Sequence, residues 1–239
     1  MDKLSIISDM MTTIRIGKLN ISTAFSHFEY LKKETDQFVM SEFFSHLKYI
    51  RRITIDIEEI RTKFENYSIG FSRPIIQRLG YDLHADRSKR LAYFSCRLLQ
   101  TLAISTNIVF EDKETLNRAR LEFKNYINEK APIDPDILTT YACGYIKLST
   151  DEEWEQLLQV FIETRDPIKK EIYRYALSCS KNVLMLERLL NMTLDPRILQ
   201  LQDSGDVILD VIRSPLGPNL TWKFIKQNWK TIQSQCRFY

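Results

Sequence analysis

The sequence predicts an all-α protein, and three observations support this fold class. Only six Gly and seven Pro occur among the 239 residues, which argues against an all-β sandwich or barrel, because the many tight turns of such folds consume Gly. Apolar residues recur at helical spacing along almost the whole chain, and no convincing strand pattern of alternating polarity is present. Helix-capping residues recur at regular intervals in the second half.

Apolar stripes predict the helices of the first half. They consist of Leu4, Ile7, Met11 and Ile14; Phe43, Leu47 and Ile50; Ile53, Ile57, Ile60 and Phe64; and Leu91, Phe94, Leu98 and Leu102. Gly17 follows the first stripe, at the place where a left-handed C-terminal cap is expected. We therefore expect a helix over each stripe.

The second half carries both stripes and start signals. The stripes are Trp154, Leu157, Leu158, Phe161 and Ile162; Ile168, Ile172, Tyr175, Ala176 and Cys179; and Trp222, Ile225, Trp229 and Ile232. Thr150 and Glu153 form a capping-box pattern, and Asp134-Pro135, Asp166-Pro167 and Ser214-Pro215 each place a capping residue before a proline. This cadence predicts antiparallel helix pairs stacked as an irregular α-solenoid of the HEAT or armadillo kind. We expect one domain over residues 1–239, with a seam near residues 66–86.

The charge pattern argues against nucleic acid as a partner. The 34 basic and 31 acidic residues leave a net charge of +3. The pairs Arg51-Arg52, Lys89-Arg90 and Lys169-Lys170 are separated along the chain and have acidic neighbours, whereas nucleic-acid binders concentrate basic residues on one face. We read these pairs as solvated helix faces.

No catalytic or metal-binding constellation is evident. His27, His46 and His84 do not form an HExxH pair, and no GxSxG elbow or GxxxxGK loop occurs. The acidic run at residues 151–153 fits the first turn of a helix, where the macrodipole favours carboxylates. The sequence therefore predicts no catalytic residue and no metal ligand in this chain.

Cysteines, sequons and chain ends bear on the cellular compartment. The cysteines at 96, 143, 179 and 236 include no CxxC pair and allow three full pairings. Four N-x-Ser/Thr sequons mark Asn20, Asn66, Asn191 and Asn219 as possible glycosylation sites. The segments MDKLSIISDMM and QSQCRFY contain neither a signal-peptide core nor the hydrophobic tail of a lipid anchor, so we expect no signal and no anchor in this chain.

A series of motifs resembles a known family. The motifs are Tyr30 to Thr35, Tyr141 and Cys143, Trp154, Ala176 to Ser180, Gln202-Asp203, Gly217, Trp222, Phe224, Asn228 and Trp229. Their order and spacing resemble the C-terminal helical domain of zinc aminopeptidases of the aminopeptidase N and endoplasmic-reticulum aminopeptidase type. The likeness covers nearly the whole chain. It departs from the family at residues 137–140, where an Arg is usual, and at Met40, where a Trp is common.

The resemblance implies a fold and a function. In the family, the helical stack curves into a concave bowl that closes over the zinc site of a catalytic domain and holds the distal part of the peptide whose N-terminal residue is removed. That catalytic domain, with its HExxH helix, has no counterpart in these residues. We therefore expect a substrate-enclosing and regulatory module that is inactive alone, holds no zinc itself, and has a catalytic domain and a peptide as partners. The residues that line the bowl are not assigned.

The resemblance also implies three details. It places Cys143 and Cys179 at positions that are paired in the family, so we expect a disulfide between them and an oxidising compartment: the secretory pathway, the cell exterior or the cell surface. It places the missing domain near Tyr30, Phe38 and Phe43, which we expect to be exposed. The alternative function is a free-standing helical-repeat scaffold that binds a protein or peptide on a concave surface.

Overall fold

The prediction of an all-α fold is confirmed. The computed structural model describes residues 3–82, 90–129 and 131–236, and over these ranges it contains twelve α-helices, one 3-10 helix and no strand. The chain divides into two compact units, Met1–Thr115 and Leu116–Tyr239, which we call unit 1 and unit 2. The solenoid stacking, the bowl, and the single domain with a seam near residues 66–86 stay predictions.

Most of the predicted stripes lie within a helix. Unit 1 contains α1 (Lys3–Arg15), α2 (Ile21–His27), a 3-10 helix (Phe28–Lys33), α3 (Gln37–Ile53), α4 (Glu58–Leu79) and α5 (Arg90–Val109). Helix α6 (Lys113–Glu129) begins at the boundary, and unit 2 continues with α7 (Pro135–Lys147), α8 (Asp151–Glu163), α9 (Pro167–Ser178), α10 (Val183–Met192), α11 (Leu201–Arg213) and α12 (Gly217–Cys236). None of the described helices combines the length and apolar character needed to cross a membrane.

An aromatic cluster forms the core of unit 1. The ring of Phe43 lies 4.8 Å from that of Phe71 and 5.2 Å from that of Phe28, both edge-on, between centroids. Phe43 is fully buried, so the prediction that it is exposed is wrong, because it lies on the inner face of α3 with Leu47 and Ile50. Phe38, at the start of α3, is exposed. Tyr30 is exposed as well, as predicted.

One predicted stripe of unit 1 is not a single helix. Helix α3 ends at Ile53 and α4 begins at Glu58, so Ile53, Ile57 and Ile60 lie at a break and are exposed, whereas Phe64 is buried. The run Ile53-Thr54-Ile55 is β-branched, and such residues lose side-chain freedom in a helix. The hydroxyl of Thr54 donates to the Ile50 carbonyl oxygen at 2.9 Å. In α5, the side chains of Leu91 and Phe94 lie outside the described residues.

Most predicted caps are confirmed. Gly17 has φ 72°, the left-handed conformation expected of a C-terminal cap. The Asp134 and Asp166 side chains accept hydrogen bonds from backbone N–H groups of α7 and α9, and both hydrogen bonds of the Thr150–Glu153 capping box are present. The Ser214-Pro215 start is wrong, because Ser214 ends α11 and α12 begins at Gly217. A Cβ at Gly217 would lie 1.6 Å from the Val211 carbonyl oxygen, so only glycine allows this close turn between α11 and α12.

Helix α9 is the centre of unit 2. It packs against α7, α8, α10 and α11, and α12 packs against α10 and α11. The indole of Trp154 in α8 is buried and donates from Nε1 to the Leu177 carbonyl oxygen of α9 at 3.2 Å. A disulfide joins Cys143 of α7 to Cys179, the residue after α9, with 5.4 Å between the Cα atoms, so this predicted pairing is confirmed. Cys96 is an exposed free thiol.

Removal of the disulfide should destabilise the protein. The bond closes a loop of 36 residues. In the chain-entropy model a loop of this length stabilises by about 3–4 kcal/mol. We expect C143A/C179A to lower the free energy of unfolding by about that amount in denaturant titrations, and the exposed control Cys96→Ala to change it by no more than about 0.5 kcal/mol. Free thiols at both Cys143 and Cys179 in peptide mapping of the oxidatively folded protein would contradict the bond.

A second contact ties α6 to α8. The carboxylate of Glu153 accepts two hydrogen bonds from the Arg120 guanidinium, at 2.8 and 2.9 Å, and one from the backbone N–H of Thr150 at 3.1 Å. Arg120 also donates to the Leu148 carbonyl oxygen. Burial of Glu153 by itself raises the pKa of its carboxyl. The Thr150 N–H, Lys124 and Arg120 together lower the pKa by more than burial raises it, so the pKa lies below its ordinary value.

The Glu153 contact should make stability depend on pH. Because the folded pKa is lowered, the contribution of Glu153 is complete above its unfolded pKa of about 4.3 and is lost as the pH falls through the folded pKa. We expect Glu153→Gln to cost about 1–3 kcal/mol of unfolding free energy at pH 7. In denaturant titrations the wild-type and variant stabilities should begin to converge as the pH falls below about 4 and should meet below the folded pKa. A difference that is independent of pH would contradict this account.

Candidate functional site

The two described histidines, His27 and His46, contact different neighbours. The His46 ring lies between two side chains: its Nδ1 is 3.0 Å from Nη2 of Arg15, and its Nε2 is 2.9 Å from Oε1 of Glu42. His27 is exposed, and its Nδ1 contacts the Thr23 carbonyl oxygen. His84 lies outside the described residues. Across the part of the chain that the structure describes, no three His, Cys, Asp or Glu side chains are grouped so that they could hold a metal ion. These residues do not fit a zinc centre.

The acidic run of α8 has a structural role. Asp151 accepts from the Asn182 side chain at 2.9 Å, and Glu153 completes the capping box. The backbone N–H of Glu152 donates to the residue's own carboxylate and lowers the pKa of that carboxyl, as expected in the first turn of a helix. The run therefore stabilises a helix start, as the sequence predicts.

A groove in unit 2 is the strongest candidate site. It runs along α9 and α11, has a volume of about 1140 Å³, and is also lined by the N-terminal turns of α7 and the C-terminal end of α8. We call it the α9–α11 groove. Ligand sites are typically concave clefts of about 300–1,000 Å³ that are lined by apolar side chains with a few polar groups, so this groove is large enough for a ligand.

Apolar side chains line the groove without being buried. They are Ile162 of α8, Ile168 and Tyr175 of α9, and Leu209 of α11. The predicted α9 stripe therefore divides, since Ile172 and Ala176 are buried while Ile168 remains 71% exposed. Ile168 and Tyr175 are exposed because the side of α9 that carries them faces the groove.

A ladder of ion pairs joins α9 to α11 beside these side chains. Lys170 Nζ lies 2.7 Å from Asp203 Oδ2, Arg174 Nη1 lies 2.8 Å from Asp206 Oδ2, and Arg174 Nε lies 2.9 Å from Asp210 Oδ2. The two basic residues are four positions apart on α9, and the three aspartates are spaced by three and four on α11, so each set shares one helix face. The ladder holds the two helices that form the groove.

Asp210 is the buried member of the ladder. Burial raises the pKa of its carboxyl, and the Arg174 hydrogen bond and charge oppose that rise without cancelling it. Arg213 Nη1 lies 3.9 Å from the other carboxylate oxygen of Asp210. The Arg174 guanidinium therefore carries most of the electrostatic compensation for a buried carboxylate in the groove.

Sequence reasoning did not single out the ladder. The sequence contains the basic residues of α9 and the aspartates of α11, but they are about 30 positions apart. Only the packing of α9 on α11 brings the two sets together. The arrangement can bind and orient a chain through apolar contacts and hydrogen bonds.

Loss of Arg174 should destabilise unit 2 in a pH-dependent way. Arg174→Met leaves Asp210 buried without its main partner, and breaking a buried pair on one side costs about 3–5 kcal/mol. Because the Asp210 pKa rises further without Arg174, the cost should shrink as the pH falls and the carboxyl is protonated. The exposed pair of Lys63 and Glu59 supplies the control, Lys63→Met, with a change of about 0.5 kcal/mol or less.

Comparison with known proteins identifies relatives over nearly the full chain. The sequence profile of the family described as "ERAP1-like C-terminal domain" matches residues 1–237. The chain is 26% identical over 229 residues to a glutamyl aminopeptidase of Homo sapiens, covering 95% of this chain and 23% of that relative. It is 27% identical over 235 residues to the glutamyl aminopeptidase of Mus musculus, covering 98% of this chain and 24% of that relative.

An aminopeptidase N is also similar. The protein of Oryctolagus cuniculus is 25% identical over 233 residues, which cover 97% of this chain and 24% of that relative. The chain therefore spans about a quarter of the length of the curated relatives it matches.

Proposed function

The chain belongs to the family of ERAP1-like C-terminal domains, and on that premise we propose that it is the substrate-enclosing and regulatory module of a zinc metalloaminopeptidase. The α9–α11 groove is the single observation that supports this role best. In such a module the groove holds the distal part of a peptide while its N-terminal residue is processed on a catalytic domain. The contribution is positioning and exclusion of water, with no bond chemistry supplied by this chain.

The lining of the groove suits a peptide. Apolar side chains such as Leu209 can accept peptide side chains, and half-exposed Asp206 and exposed Arg213 offer an acceptor and donors for its polar groups. The ladder pre-organises these groups, because α9 and α11 are already joined before a ligand binds. A pre-formed site loses less conformational entropy on binding.

The proposal extends to the partner and the compartment. Exposed Tyr30 and Phe38 in unit 1 offer apolar surface to a catalytic domain that would supply the zinc site. The Cys143–Cys179 disulfide is stable in an oxidising compartment, which supports a place in the secretory pathway, outside the cell or at its surface. All four sequon asparagines are exposed, so Asn20, Asn66, Asn191 and Asn219 can carry glycans.

Peptide binding to the isolated chain tests the role of the groove. We expect fluorescein-labelled unstructured peptides to bind in anisotropy titrations, and Leu209→Arg to weaken binding by about tenfold or more, since it places a charge among apolar contacts. Leu184→Arg is the matched control, because Leu184 of α10 is equally apolar, exposed and outside the groove. Binding that Leu209→Arg leaves unchanged would contradict the groove as the peptide site.

An activity assay tests the division of labour. With added zinc, the isolated chain should release no amino acid from aminopeptidase substrates, because the described residues do not hold a zinc-ligand set. Zinc-dependent turnover that is lost on mutation of His27, His46 or His84 would overturn this expectation. A free-standing scaffold would also be inactive, but it would not bind the catalytic domain of an aminopeptidase, so a pull-down with such a domain separates the two functions.

A further inference from the structure

The four sequons lie in different structural settings. Asn20 lies in the connection between α1 and α2, whereas Asn66 lies in α4, Asn191 in α10 and Asn219 in the first turn of α12. All four asparagines are exposed. The sequon also includes the hydroxyl residue two positions later, so the exposure of the asparagine describes only half of each site.

The hydroxyl residues separate Asn20 from the other three asparagines. Ser68 and Thr221 are fully buried, and Thr193 is 2% exposed. The hydroxyls of Ser68 and Thr193 also donate to backbone carbonyl oxygens of the preceding helical turn, at 2.8 and 2.6 Å. Ser22, by contrast, is exposed. An enzyme that must contact both residues of a sequon therefore has access to the Asn20 sequon on the folded chain.

The backbone at Asn20 is that of a surface turn. Asn20 caps α2 with an extended φ of −68° and ψ of 132°, and its Oδ1 accepts a hydrogen bond from the backbone N–H of Ser22 at 2.8 Å. This bond occupies the amide oxygen and leaves the amide nitrogen, which is the atom that receives a glycan, free to react. At Asn66 and Asn191 the backbone is helical, so an enzyme could hold the sequon in an extended form only after local unfolding.

A glycan at Asn20 would also cover apolar surface. Ile16 and Ile21, on the two sides of the same connection, are 60% and 41% exposed. Contiguous exposed apolar side chains favour aggregation, and a glycan is bulky and solubilising. The position of the sequon therefore suits a protein whose α1–α2 corner stays in solvent.

We propose that Asn20 is the N-glycosylation site of the folded protein, and that Asn66, Asn191 and Asn219 accept glycans only before their helices form. The proposal rests on the proposed place in the secretory pathway, and its donor is a lipid-linked oligosaccharide. Nδ2 of Asn20 forms a bond to C1 of the first sugar, and the bond from C1 to the lipid pyrophosphate breaks. The lipid pyrophosphate leaves, and the amide proton passes to a base of the transferase.

Glycan transfer to the native chain and to short peptides tests this proposal. The native chain and four synthetic peptides, one centred on each sequon and too short to be helical, are incubated with a microsomal oligosaccharyltransferase and a lipid-linked oligosaccharide. Mass spectrometric peptide mapping gives the transfer rate at each asparagine. We expect native Asn20 to react at close to the rate of its peptide, and Asn66, Asn191 and Asn219 to react about tenfold or more below theirs.

Two neighbouring variants supply the matched control. Ser22→Ala removes the hydroxyl but keeps the backbone N–H that caps α2, so it should abolish transfer to Asn20 in a folded chain. Thr23→Ala, at the next and equally exposed position, should leave transfer unchanged. Circular dichroism verifies the fold of both variants.

Three results would overturn the proposal: no transfer to Asn20 of the native chain, transfer that survives Ser22→Ala, or transfer to the other native sequons at the rates of their peptides. The assay measures glycan transfer alone and does not depend on the α9–α11 groove. A failure of this proposal is therefore distinguishable from a failure of the proposed peptide-binding role.

Discussion

The fixed position of α9 is the constraint on which unit 2 depends. One end of the helix is tied to α7 by the Cys143–Cys179 disulfide and to α8 by the hydrogen bond from Trp154 to Leu177. Ion pairs of Lys170 and Arg174 join it to α11. Because covalent, buried and ionic contacts act on the same twelve-residue helix, the surface between α9 and α11 is defined before any ligand arrives.

This constraint explains why charged groups are tolerated beside apolar ones. A buried carboxylate such as Asp210 costs free energy unless a partner compensates it, and Arg174 does so with donors that point to two aspartates. The groove charges are thus largely satisfied within unit 2. On α12, by contrast, two indoles are exposed and the helix carries lysines but no Asp or Glu.

Local signals in the sequence predicted the helices well. Capping residues such as Asp166 and the Thr150–Glu153 box act within a few residues of themselves, so their meaning does not depend on the rest of the fold. Stripes were less decisive, because apolar spacing does not reveal whether a neighbour covers the stripe. Phe43 lies inside the core of unit 1, whereas Trp229 and Ile168 have equally regular spacing and remain exposed. Prediction of the ladder would require knowing that α9 packs on α11, and no local sequence pattern contains that information.

Hydrogen–deuterium exchange with and without an unstructured peptide tests the central claim most directly. If the α9–α11 groove is pre-formed and binds peptide, the amides of α9 and α11 should already be slow to exchange in the free protein. Peptide should then slow the groove-lining turns around Ile168 and Leu209 further and leave α12 unchanged. Rapid exchange of α9 in the free protein, or peptide protection confined to other helices, would contradict the account.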